Sequence, residues 1–85
     1  MSGRLVLVRT YGDKVAVREV LHEEDGMIIV CRPENAAAIR AGERPEPMIG
    51  FRHSDVFAYD EAAEAALGEA KRGNRVDWNR LRPAK

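Results

Sequence analysis

The chain holds a single cysteine, Cys31, and therefore no intramolecular disulfide, so a framework stapled for an oxidising compartment is not expected. No apolar run approaches the ~18 residues that a membrane-spanning helix requires, and Met1-Ser2-Gly3-Arg4 leads into a strand-like segment without the pattern of a signal peptide. These two features make the cytoplasm the expected location. Aromatic residues are scarce, at 6%, and there are only 4 Pro and 7 Gly, a composition that argues against a low-complexity or disordered chain. Neither GxGxxG nor GxxxxGK[ST] occurs, so no phosphate-cradling loop is indicated. Metal-ligand spacings of the CxxC, HxxxH and EF-hand kinds are missing as well. No cofactor and no metal are expected.

What is present is one small domain's worth of chain: 85 residues, 45% hydrophobic and 33% charged. A second core would starve the first at this length, and only about 60–65% of the unfolded surface can be buried. A deep catalytic cavity is therefore hard to support. The net charge is zero but unevenly spread: residues 1–70 carry −5 and residues 71–85 carry +5. An acidic body with a basic tail can reach for a polyanion or fold back on itself. Arginine outnumbers lysine eleven to three, which fits a GC-rich, bacterial codon usage as well as bidentate pairing.

Hydrophobic patterning gives mainly strands. Arg4–Tyr11 is β-rich and ends at Gly12-Asp13, which reads as a two-residue hairpin turn. Lys14–Glu23 alternates and then shifts phase at Val20-Leu21, as a bulged or bent strand does. Asp25-Gly26 is a type I′ turn signal, and Met27–Arg32 is the return strand. Pro33 and Glu34 open a short helix that Gly42 ends. The connector 42–47 contains Pro45 and Pro47, and two short strands, Met48–Phe51 and Val56–Tyr59, flank the polar break Arg52-His53-Ser54-Asp55. A helix with Asp60 as N-cap follows, its apolar positions Ala63, Ala66, Leu67 and Ala70 at helical spacing, stopping at Gly73. Asp77 then caps one turn that carries Trp78 and Leu81 on one face.

The order β-β-β-α-β-β-α places the chain in the α+β class, mainly β. The preferred architecture is a small SH3-like, strongly bent antiparallel barrel of about five strands, with a short inserted helix and a C-terminal helix. An open sheet with both helices on one face is the alternative. Residues 1–73 form the domain and residues 74–85 a basic tail with a Trp anchor.

Three constellations are candidates for chemistry. His53-Ser54-Asp55 contains the residue types of a hydrolytic triad, but adjacency works against triad geometry, and the short oxygens suit a turn better. Cys31 beside Arg32 is a weak candidate for thiol chemistry, with His22 as a base on the neighbouring strand. Pairing across Asp25-Gly26 sets His22 opposite Ile29 and Cys31 opposite Val20, leaving His22 and Cys31 diagonal. A small buried side chain is the preferred reading of Cys31. Glu23-Glu24-Asp25 reads as a solvated hairpin tip that also discourages edge pairing.

The tail carries the remaining signal. Lys71, Arg72, Arg75, Arg80, Arg82 and Lys85 surround Trp78, the sole tryptophan. Such a segment can contact phosphates and stack on bases, dock in a protein groove, or clip Trp78 and Leu81 back onto the body with its arginines paired to the acidic domain. The clip is the preferred reading. The expected function is a non-catalytic protein-interaction module or small subunit, with Arg72, Arg75, Trp78, Arg80, Leu81 and Arg82 as partner-binding residues. Phe51, Phe57 and Tyr59 are further contact candidates that fit the core better. A nucleic-acid-binding accessory protein that uses the tail is the alternative, and exposed strand edges leave room for a homodimer.

Overall fold

A computed structural model describes residues 3–84; Met1, Ser2 and Lys85 lie outside the described residues. Five strands, β1 (Leu5–Arg9), β2 (Val15–Glu24), β3 (Met27–Cys31), β4 (Ile49–Arg52) and β5 (Val56–Ala58), form one antiparallel sheet in the order β4-β3-β2-β1-β5. Among the described residues two α-helices accompany it, α1 (Ala36–Arg40) and α2 (Glu61–Lys71). The α+β, mainly β class follows directly. Among the described residues no helix is long and apolar enough to cross a membrane.

The registers require the sheet to roll. Arg52, at the end of β4, aligns through Met27 with Glu24 of β2, whereas Val56, at the start of β5, aligns through Val8 with Ala16 of the same strand. In a flat sheet those positions lie about 26 Å apart along the strand and about 19 Å across it. The chain from Arg52 to Val56 reaches at most about 14 Å, and residues 53–55 coil into a 3-10 turn that shortens it further. The sheet therefore bends back on itself. A register shift between Val20 and His22 marks where β2 bends, leaving its first half to β1 and its second half to β3.

The expected barrel is nevertheless not closed. Among the described residues no ladder joins β4 to β5, because the outer edge of β5 is taken by the tail: Ala58 N–H donates to the Arg82 carbonyl (2.9 Å) and Ala84 N–H to the Val56 carbonyl (3.2 Å), with Phe57 bridged to Pro83. Val6, Val8, Ile28, Val30 and Val56 pack into one core cluster, together with Ala84 and the half-buried Phe51. The other face buries Leu7 and Phe57 under Ala63 and Ala66 of α2 and Leu81 of the tail.

Turn chemistry sets the details. Asp25 and Gly26 have φ of 50° and 78°, as a type I′ turn requires. Glu24 then faces Met27 and His22 faces Ile29, as the sequence predicts. Beyond the bulge the register differs from expectation: Leu21 is left over, Val20 pairs with Val30, and Cys31 pairs with Glu19 and not with Val20. The first hairpin also differs, since Arg9 pairs with Val15 around a 3-10 turn at Tyr11–Asp13 in which Gly12 takes the positive φ. Tyr11 is 95% exposed there and so gains no burial that would favour extending β1.

α1 continues from a 3-10 turn at Pro33–Asn35, whose start is tied to the connector by the Glu46 carboxylate, accepting from Arg32 N–H (2.9 Å) and Asn35 Nδ2 (2.7 Å). Its last residue, Arg40, reaches the buried Glu19 carboxylate on β2 (2.5 Å), which also accepts from Gly3 N–H (3.0 Å). Asp60 caps α2 by accepting from Ala63 N–H (3.0 Å), and Gly73 ends it with φ 80°.

Candidate binding cleft

The tail runs back over the sheet instead of leaving it. Asp77 accepts from Asn79 N–H (3.2 Å), so Trp78–Arg80 closes as a single turn, which places Trp78 and Leu81 toward the body. Leu81 is 7% exposed. The Trp78 ring stacks on Phe57 with centroids 5.6 Å apart, and the Arg9 guanidinium lies 4.8 Å from its centroid. Arg9 is held there by Asp55, through Nε (3.0 Å) and Nη2 (2.8 Å). The link therefore runs from the turn before β5, through β1, to the indole.

This packing separates the six tail residues expected to meet a partner. Leu81 belongs to the core cluster. Arg72 pairs with Glu69 in the last turns of α2, and Arg80 pairs with Asp77 (3.3 Å), so the tail arginines that form ion pairs do so locally and not with distant acids of the body. The side chain of Arg82 is exposed while its carbonyl joins the β5 edge. Arg75 and Trp78 are the two that line a cavity.

That cavity is a cleft of about 730 Å³ between the end of α2, the β1–β2 loop and residues 73–78. Val15, Leu67 and Val76 contribute apolar surface, and Trp78 contributes the indole. Lys14, Lys71 and Arg75 are its cations, all exposed and, among the described residues, without an ion-pair partner. Lys71 sits at the C-terminal, electronegative end of α2, which favours a cation there. The described lining includes no carboxylate, histidine, cysteine or serine, so the cleft can hold an anion and an apolar group but offers no nucleophile or general base.

The other candidates do not come together. Asp55 is occupied by Arg9, and His53–Asp55 forms the turn between β4 and β5 instead of a nucleophile–base pair. Cys31 is buried, and burial first, then the Glu46 and Glu19 carboxylates, push its thiol upward in pKa, away from the reactive thiolate. Among the described residues no group of three or more His, Cys, Asp or Glu is placed to hold a metal ion. Phe51 and Tyr59 are half-buried and Phe57 is core.

Sequence reasoning missed Lys14 as part of the cleft and Arg9 as the partner of Trp78. No local signal marks either, because both depend on where the tail lands. Glu19 and Arg40 were missed for a similar reason, their residue types being ordinary and their pairing set by where the end of α1 comes to lie near β2. Comparisons of the chain with protein-family models, with curated proteins and with solved structures match nothing in any of the three, so the cleft must be read from its own geometry.

Proposed function

We propose that this protein is a non-catalytic protein-interaction module built on an SH3-like barrel left open between β4 and β5, and that it binds its partner at the cleft made by its docked tail. The barrel reading is supported by the strand order β4-β3-β2-β1-β5, by a bent β2 shared between two half-sheets, and by the 3-10 turn that carries the chain from one edge strand to the other. The observation that carries the functional reading is the cleft itself: apolar surface, an indole and three cations without an ion pair among the described residues, with no group among its described lining that could break or form a bond. A volume of about 730 Å³ is of the size that holds one or two side chains of a docked segment. A free, buried thiol at Cys31 fits a cytoplasmic setting.

The same cations favour a second reading, in which a single-stranded nucleic acid follows the cleft. One experiment separates the two. Random peptides displayed on phage are selected against the folded protein, and binding of the enriched peptides is mapped by amide chemical shifts. The module reading expects micromolar peptides whose shifts centre on Lys14, Lys71, Arg75 and Trp78 and that the Lys71→Glu, Arg75→Glu double variant no longer binds. Failure to enrich any peptide, together with steeply salt-dependent binding of oligonucleotides at those residues, replaces it with the nucleic-acid reading.

A further inference from the structure

We infer that the occupant of the cleft is a short acidic segment of a partner protein, with carboxylates flanking an aliphatic or aromatic side chain. The inference rests on the module reading and adds the chemistry of what is bound. Among the described residues four arginines form ion pairs where they stand: Arg9 with Asp55, Arg40 with Glu19, Arg72 with Glu69 and Arg80 with Asp77. Lys14, Lys71 and Arg75 have no ion pair among the described residues, and unlike the other cations without one they are gathered at one cavity, Lys14 from the β1–β2 loop and Lys71 and Arg75 from the end of α2 and the segment after it. Three like charges gathered with no carboxylate in the described lining favour an anion.

The surface between them selects the anion's character. Val15, Leu67 and Val76 offer an apolar side chain a place to leave water, which a bare phosphate or a sugar-phosphate backbone does not exploit. The Trp78 ring is already engaged by Phe57 and Arg9, which leaves less of it for a nucleobase than a stacking platform provides. Charge beyond the cleft acts in the same direction. Residues 1–70 carry a net −5, so a long polyanion that overran the cleft would meet an acidic body, while a segment of a few residues would not.

Trp78 is the sole tryptophan and lines the cleft, so its emission reports occupancy directly. The probe is a blocked ten-residue peptide with a central leucine–phenylalanine pair flanked by aspartates; its comparison is the same peptide with asparagine at every aspartate. The full-length protein is expected to bind the acidic peptide saturably, with at least a fivefold weaker Kd for the amide peptide. Lys71→Gln and Arg75→Gln should each weaken the acidic peptide about threefold without moving the melting temperature, and raising NaCl from 50 to 500 mM should weaken it further. Equal affinity for the two peptides overturns the inference, as does tighter competing binding of a ten-nucleotide oligothymidylate. A neutral or basic consensus from the phage selection at the same cleft overturns it too, while leaving the interaction module standing.

Discussion

Replacing Leu81 by alanine tests whether the tail is part of the folded domain. Leu81 is 7% exposed and packs in the cluster with Leu7, Phe57, Ala63 and Ala66. The substitution removes three methylene-sized groups, about 2.4 kcal/mol at roughly 0.8 kcal/mol each, and a residual cavity raises the loss toward 4 kcal/mol. Partial collapse of the tail lowers it, so about 2–4 kcal/mol is expected. A domain of this size has a total stability of about 4–13 kcal/mol, and each kcal/mol moves its midpoint by roughly 4–8 °C. A fall of about 8–32 °C follows. Urea unfolding by far-ultraviolet circular dichroism and by Trp78 emission measures the loss, and the retained indole shows whether the tail unfolds with the sheet. A loss under about 0.5 kcal/mol, or an indole signal that changes before the sheet melts, refutes the docked tail as a structural element.

Further outcomes are expected elsewhere in the fold. Hydrogen bonding from Arg40, with help from Gly3 N–H, holds the Glu19 carboxyl below its usual range against the opposing effect of burial. The stability this contributes is fully present above the unfolded value near ~4.3 and is lost as pH falls through the lower folded value. Arg40→Ala leaves that carboxylate buried without its partner and should cost about 1–2 kcal/mol at pH 7, the gap to wild type narrowing toward pH 3 in urea titrations. Asp60→Ala removes the cap on Ala63 N–H and should lower stability by about 1 kcal/mol, while Asp60→Asn should lower it less. Native Cys31 should be alkylated at least tenfold more slowly at pH 8 than after unfolding; equal rates would show that burial does not protect it.

Much of the fold is legible in the sequence where the determinants are local. Asp25-Gly26 admits one kind of turn and thereby fixes the pairing of Glu24 with Met27. Asp60 and Gly73 bracket α2 because one accepts from a free amide and the other tolerates positive φ. Apolar phase at Val20-Leu21 reveals that β2 bends, but not how the ladder resumes, and that single leftover residue moves the partner of Cys31 from Val20 to Glu19. Alternation tells which side chains share a face and says nothing of what covers it. Lys14, Lys71 and Arg75 therefore look like unrelated surface charges until the tail is laid across them.

The tail answers two needs of the sheet with one segment, and this links stability to binding. The alanines of α2 let the helix approach Leu7 and Phe57 closely but bury little area, so that face gains from Leu81 and Trp78. The three-residue strand β5 would otherwise expose its outer edge, which Arg82 and Ala84 occupy, with Pro83, unable to donate, between them. Laying the segment down in this way also brings Arg75 and Trp78 to Lys14 and Lys71. Two classes of substitution should then separate. Leu81→Ala should lower stability and weaken the acidic peptide together, because it loosens one wall of the cleft. Lys71→Gln and Arg75→Gln should weaken the peptide while leaving the melting temperature within about 2 °C, since exposed charges contribute little to folding. If the charge substitutions destabilise as Leu81→Ala does, the cations serve the fold and not a partner.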